Sequence, residues 1–297
     1  MAWAQALAAD LISPPVKIGV RDLAATWLVE RARVTCRRPK NFADYPELSV
    51  RVRGAFGRAL AAIPPSVAGG WSLPPAFAIL FAPAGRWAAG LEVPKPFVMR
   101  AWTEHDALVA EVSLFGMAGV FIDDAEAALV ACLEKGIALG PESQHRVQLE
   151  VTSVGRSRSD GVVLPDRPVA ASLAFRTPVS VRTGSSLNAD AGSILRSVLL
   201  RASGMARWQG AELEAGWQEL HRAIGGINID DAGLIPARWR RYSLRRGDQA
   251  IPVAGWLGPL RLAGRISDLA PFLKLAESCN TGSHASLGLG WFDLAMA

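Results

Sequence analysis

The chain has 297 residues, half of them apolar, with 32 Lys and Arg against 27 Asp and Glu for a net charge of +5. That length accommodates two domains with a core each, and the apolar share excludes a disordered chain. Cys36, Cys132 and Cys279 are odd in number, far apart and without CxxC spacing, which argues against a disulfide framework and a zinc site, and no run reaches the roughly 20 apolar residues of a membrane span.

Met1 to Asp10 is apolar but lacks a basic flank and so does not read as a signal peptide; a reducing cytoplasm and no membrane partner are expected. Residues 1–22 read as an N-terminal extension, with a short helix ended by Ser13-Pro14-Pro15. Leu28 to Cys36 alternates apolar and charged residues as a half-buried strand does. Leu48 to Ile63 reads as a helix with Val52, Phe56, Leu60 and Ile63 near one face, stopped by Pro64-Pro65. Strands are predicted at 76–81, 96–102 and 108–114, a helix over 123–135 with Gly136 as its C-cap, and a closing strand over 145–154.

The order then repeats. After a turn-rich linker over 155–168, 169–181 reads as a strand, 189–201 as a helix and 211–223 as an additional helix. Strands at 237–245 and 251–263, a helix over 268–278 and a last strand over 286–294 follow. The prediction is an α+β chain of two tandem ferredoxin-like domains, 1–160 and 161–297, with a helical insertion in the second.

Charge is concentrated in two stretches. Arg31, Arg33, Arg37, Arg38 and Lys40 are followed by Arg51, Arg53 and Arg58; Arg238, Arg240, Arg241, Arg245 and Arg246 surround Trp239 and Tyr242. Guanidinium groups beside aromatic rings suit RNA, since they pair phosphate and stack on bases, although alternating arginines also occur on solvated strands. Near the C-terminus Gly282, Gly288 and Gly290 suggest a loop whose backbone N–H groups could meet a phosphate, a pattern shared with plain tight turns.

Several segments resemble the CRISPR-associated endoribonucleases of the RAMP superfamily, which cut precursor CRISPR RNA within its repeats. Val52-Arg-Gly-Ala-Phe-Gly-Arg-Ala-Leu60 resembles the family's Leu-Arg-Gly-Ala-Phe-Gly helix, and Pro94-Lys-Pro-Phe-Val and Leu114-Phe-Gly resemble its strand signatures. Leu173-Ala-Phe-Arg-Thr-Pro-Val, Trp239-Arg-Arg-Tyr-Ser-Leu-Arg-Arg, Val253-Ala-Gly-Trp-Leu-Gly and the glycine loop follow in the family's order. The resemblance implies a metal-independent ribonuclease without cofactor, in which the ribose 2′-OH attacks the adjacent phosphate to leave a 2′,3′-cyclic phosphate. It implies as partners the repeat RNA hairpin, the mature CRISPR RNA and other proteins of a CRISPR effector complex.

Such a reaction needs a base, an acid and positive charge on the phosphorane. The candidates are His284 in the glycine loop, His145, Arg38 and Tyr242; His105 reads as a turn residue and His221 as a helix-surface residue. The RNA-binding candidates are Arg37, Arg51, Arg53, Arg207, Arg238, Arg240, Arg241, Arg245, Arg246, Gly282, Ser283, Gly288 and Gly290. Where many members carry His-x-Gly-Lys this chain has Asn280-Thr-Gly-Ser283, so the resemblance leaves two roles open: an RNA-cutting enzyme, or an inactive subunit that holds the guide RNA. A small-molecule enzyme with an anion-binding loop is the third reading, and no convergent acid, base and cofactor motif accompanies it.

Overall fold

A computed structural model of the chain describes residues 2–40, 42, 47–65, 67–68, 71–138, 146–183, 186–188, 190–242 and 250–297. The first unit comprises strand β1 (Leu28–Arg37), helix α1 (Leu48–Ala61), strands β2 (Phe97–Glu104) and β3 (Ala107–Phe115), helix α2 (Ile122–Glu134) and strand β4 (Val151–Asp160). Its sheet runs β4-β1-β3-β2 with every neighbour antiparallel, the ferredoxin-like order. Ala32, Val34 and Cys36 of β1 are buried, as are Val52, Phe56 and Leu60 of α1, which recur at the i, i+4, i+8 positions of one helix face.

The second unit repeats the plan with β5 (Ala170–Val179), α3 (Ala191–Ala206), α4 (Trp217–Gly226), β6 (Asn228–Asp230), β7 (Ile235–Tyr242), β8 (Ala250–Ala263), α5 (Ala270–Cys279) and β9 (Phe292–Met296). Its sheet runs β9-β5-β8, and β6 and β7 follow one another along the far edge of β8. Helix α3 starts at Asp190, whose carboxylate accepts from the N–H groups of Gly192 (3.3 Å) and Ser193 (2.9 Å). Helix α4 stands in the second unit where the first has only the short helix Ala76–Phe81.

Four segments depart from the sequence reading. Residues 76–81 form a short helix, Ala76–Phe81, in which Ala76, Ile79 and Leu80 are buried; a six-residue apolar run carries no period that separates strand from helix. The closing strand of the first sheet is Val151–Asp160 and runs into the expected linker. It is an edge strand with nearly every residue exposed, so no apolar alternation marks it, and its ladder with β1 holds it in place. Residues 211–223 divide into a strand, Ala211–Glu214, and α4; the strand forms by parallel pairing with Val16–Gly19 of the N-terminal extension, a contact that local sequence does not encode. The segment 286–294 begins as a 3₁₀ turn, Ala285–Leu287, and becomes strand only at Phe292.

The apolar core is continuous through both units, with Phe56 and Leu133 in the same cluster as Leu273 and Phe292. A polar bridge reinforces it. From β2, Arg100 donates to the carbonyl oxygens of Glu277 and Ser278 at the end of α5 and to Oδ1 of Asn280 (2.8 and 3.1 Å). A guanidinium is well matched to the unpaired carbonyls of a helix C-terminus. Burial pulls its pKa down to about 10, against the opposing pull of Glu111. Replacing Arg100→Met should lower unfolding stability by about 3 kcal/mol, since several charge-assisted hydrogen bonds go at once. Urea denaturation checks this, and an unchanged midpoint would show that the bridge carries no stability.

Candidate nucleic-acid interface

Strand alternation puts Arg31, Arg33, Arg100, Trp102, Glu111 and Ser113 on the sheet face opposite α1 and α2. Glu111 is 4% exposed and accepts both Nε and Nη2 of Arg33 on one oxygen, at 3.0 and 2.7 Å. Arg33 lies 5.3 Å from the centre of the Trp102 ring, Trp102 is 5.4 Å from Trp291, and Arg100 is 5.2 Å from Trp291. Two cations and two indoles thus form a stack from the first sheet to the second unit, each contact adding cation–π or ring–ring attraction to the burial.

This stack assigns part of the first arginine cluster to the fold. Arg31 donates to Ser159 Oγ at 2.6 Å, and burial lowers its pKa. Arg51, expected to bind RNA, is only 15% exposed and donates to Glu47 (2.7 Å) and to the Ala138 carbonyl (3.0 Å), so its charge is committed within the first unit. Arg53 lies 4.7 Å above the Phe81 ring. Arg207 is the clearest correction: it is 3% exposed, sits 4.4 Å from the Trp87 ring, and donates to the carbonyls of Leu11 and Ile12 at 2.9 and 2.6 Å. It ties the N-terminal helix to the body, and RNA cannot reach it. Arg37 is exposed, and its 2.7 Å pair with the equally exposed Glu150 is cheap to exchange for phosphate. Arg38 donates to the Phe42 carbonyl (2.7 Å) and, more distantly, to that of His105 (3.4 Å).

The second cluster lies on the β7–β8 hairpin. Arg238 is exposed and stands opposite Ala254, and the ladder continues with Arg240 opposite Pro252, Arg241 opposite Ile251 and Tyr242 opposite Ala250. Arg245 and Arg246 lie outside the described residues, as does His145. His105 occupies the β2–β3 turn, as its neighbours predicted, with a left-handed φ of 50°. The carbonyl contact places it beside Arg38, a pairing that no sequence spacing reveals.

The glycine loop is used differently from the sequence reading. The Gly288 N–H donates to Ala285 O (2.9 Å), the Gly290 N–H to Pro178 O (3.0 Å), and the Ser283 N–H to Ser180 O (2.8 Å). A Cβ on Gly288 would lie 2.1 Å from Met99 O, and one on Gly290 1.8 Å from Thr281 O. These glycines, both with positive φ, let the loop fold onto itself and against β2 and α1 of the first unit. Their amides are spent on carbonyls, which corrects the expectation of N–H groups open to phosphate. Gly282 likewise packs on Ser180, where a Cβ would meet its carbonyl at 2.5 Å. Asn280 is fully buried and receives Arg100.

His284 is half-buried, and its carbonyl accepts from Leu287 N–H at 2.9 Å. Around it Gly282, exposed Ser283, Ala285 and Ser286 line a groove of about 670 Å³, across from Phe81, Trp87 and Lys95. The loop therefore presents side chains where its backbone is closed. Gly288→Ala should cost at least about 2 kcal/mol of stability through backbone strain and the clash with Met99. Thermal denaturation measures it; a stable variant that lost only RNA affinity would restore the phosphate-loop reading.

Comparison with known proteins follows the same division. Residues 173–292, the span from β5 into β9 that holds the hairpin and the loop, match the model of the CRISPR-associated endoribonuclease Cas6 family. No curated protein matches the chain in sequence. Among solved structures, Cas6 from Thermus thermophilus is 14% identical over 91% of this chain and 100% of its own, with a TM-score of 0.56. A Cas6 product complex is 16% identical over 91% and 99% (TM-score 0.54), and a partial Cas6-RT-Cas1–Cas2 complex is 11% identical over 92% and 47% (TM-score 0.50). The Cas6 family match thus covers the sequence of the second unit, and the likeness to Cas6 structures covers the fold of both units.

Proposed function

We propose that this protein is an endoribonuclease that cuts precursor CRISPR RNA in its repeats and keeps hold of the 3′ hairpin of its product. The observation that carries this reading is the overlap of the Cas6 family match with the segment bearing Arg238, the β7–β8 ladder and the glycine loop. The fold shared with a Cas6 product complex supports it. An A-form hairpin hides its base edges, so recognition falls to phosphate and shape, which exposed Arg238 and the further arginines of the same segment suit.

The proposed chemistry is attack by the ribose 2′-OH on the neighbouring phosphorus, with departure of the 5′ oxygen and formation of a 2′,3′-cyclic phosphate. We assign the proton exchange to His284, the histidine of the glycine loop, whose neighbours Gly282, Ser283, Ala285 and Ser286 line the groove. Arg38, Tyr242 and His145 remain the further candidates for polarising the phosphate or exchanging a proton. Because the nucleophile is internal to the RNA, a base, an acid and cationic stabilisation suffice, and the reaction is expected to need no metal. By analogy with the Cas6-RT-Cas1–Cas2 complex, further CRISPR proteins are the expected partners.

A second reading, an RNA-holding subunit without cleavage, is favoured by one observation. Asn280 is consumed in the fold and Ser283 bears no charge, so this chain lacks the histidine and lysine expected there. Incubation of the full chain with its own repeat RNA in EDTA separates the two. The enzyme reading predicts a single cut with a cyclic-phosphate end and at least a hundredfold slower cutting by His284→Ala at unchanged RNA affinity. Tight, salt-sensitive binding without cutting would establish the second reading, and no binding would exclude both.

A further inference from the structure

The groove between the segment 81–95 and the glycine loop has two walls of different chemistry. From the first unit come Phe81 and Trp87, each half-buried and each backed by a guanidinium, Arg53 at 4.7 Å and Arg207 at 4.4 Å. From the second come the hydroxyls of Ser197, Ser283 and Ser286, together with Arg201. Lys95 also lines the groove, its ammonium donating to the Phe81 carbonyl. The acid in the lining, Glu92, stands 3.8 Å from Arg86.

Arg201 is only partly paired within the fold. Its Nε donates to the Cys279 carbonyl at 3.0 Å, while its Nη2 is buried with no hydrogen-bond partner among the described residues. An unsatisfied buried donor on a charged group is expensive and calls for an explanation such as an anion. Burial lowers the pKa of this guanidinium, and a phosphate alongside would raise it again.

We propose that this groove holds a single-stranded nucleotide segment of the RNA, its phosphate toward Lys95 and Arg201 and its base against the Phe81–Trp87 wall. The proposal rests on the RNA-processing reading above and adds a site that the hairpin arginines do not supply. Base stacking on aromatic side chains combined with backbone cations is the general mode of single-strand binding. A groove of this size lies within the roughly 300–1,000 Å³ of small-ligand pockets, which suits on the order of one or two nucleotides and excludes a duplex.

The test uses the full chain and fluorescence anisotropy with three RNAs: the whole repeat, its hairpin alone, and a tetrauridylate. Leu200, 45% exposed in the groove lining, is changed to Glu to place a carboxylate there without breaking a hydrogen bond. Leu200→Glu should weaken the tetrauridylate and the whole repeat at least tenfold and leave the hairpin affinity and thermal midpoint unchanged. Lys95→Gln should act in the same direction on the same two RNAs. Unchanged affinities, or equal competition by a tetraglutamate peptide, would overturn the proposal. Equal affinity for uridine monophosphate would assign the groove to a free nucleotide in place of a strand. Binding of the hairpin but not the tetrauridylate defeats the groove alone, whereas binding of no RNA defeats the RNA-processing reading with it.

Discussion

The arrangement depends on one buried cation. Arg100 leaves the first sheet and ends among the last carbonyls of α5, where burial would be prohibitive without the acceptors it finds. Because those acceptors belong to the second unit, the cation fixes how the two units face each other. Its contact with Asn280 also secures a residue with a left-handed φ of 60°, from which the chain turns out of α5 into the glycine loop. Arg201 reaches the same helix end through the Cys279 carbonyl, so one helix C-terminus is held from both units.

From that joint the loop follows geometrically. It lies close to Met99 and Ser49 of the first unit because Gly288 admits an approach that no side chain could. Leu287 and Leu289 pack with Val253 of β8, so the loop is tied to the start of the hairpin that carries Arg238. The loop is therefore a closed backbone with projecting side chains, buttressed by the Trp102–Trp291 contact, which suits the RNA-facing role proposed for it. Under the proposed function recognition and packing share one segment, so a loop substitution that costs stability can masquerade as a binding defect.

The ferredoxin-like plan was legible because β1, α1, β3, α2, β8 and α5 carry strong periods and clear stops. Strand β4 was not, since an exposed edge strand needs no apolar alternation and is specified by its partner. The short strand Ala211–Glu214 was invisible for the same reason, its partner lying nearly two hundred residues away. In the candidate site, Arg238, His284 and Ser283 could be picked out by residue type and neighbourhood. The buried status of Arg51 and Arg207 could not, because composition does not distinguish an arginine that meets carbonyls from one that meets solvent. Glycines carry the same ambiguity: their spacing announces a close approach without saying whether the approaching group is a phosphate or the protein's own carbonyl.

The central claim is that the glycine loop is a closed joint and not an open anion cradle, and the amides of Gly288 and Gly290 report on it directly. Hydrogen exchange of these two amides, measured in the free protein and with repeat RNA bound, separates the cases. With their N–H groups bonded to Ala285 and Pro178, both should exchange slowly in the free protein and change little on RNA binding. Fast exchange in the free protein, becoming slow only when RNA binds, would contradict the account.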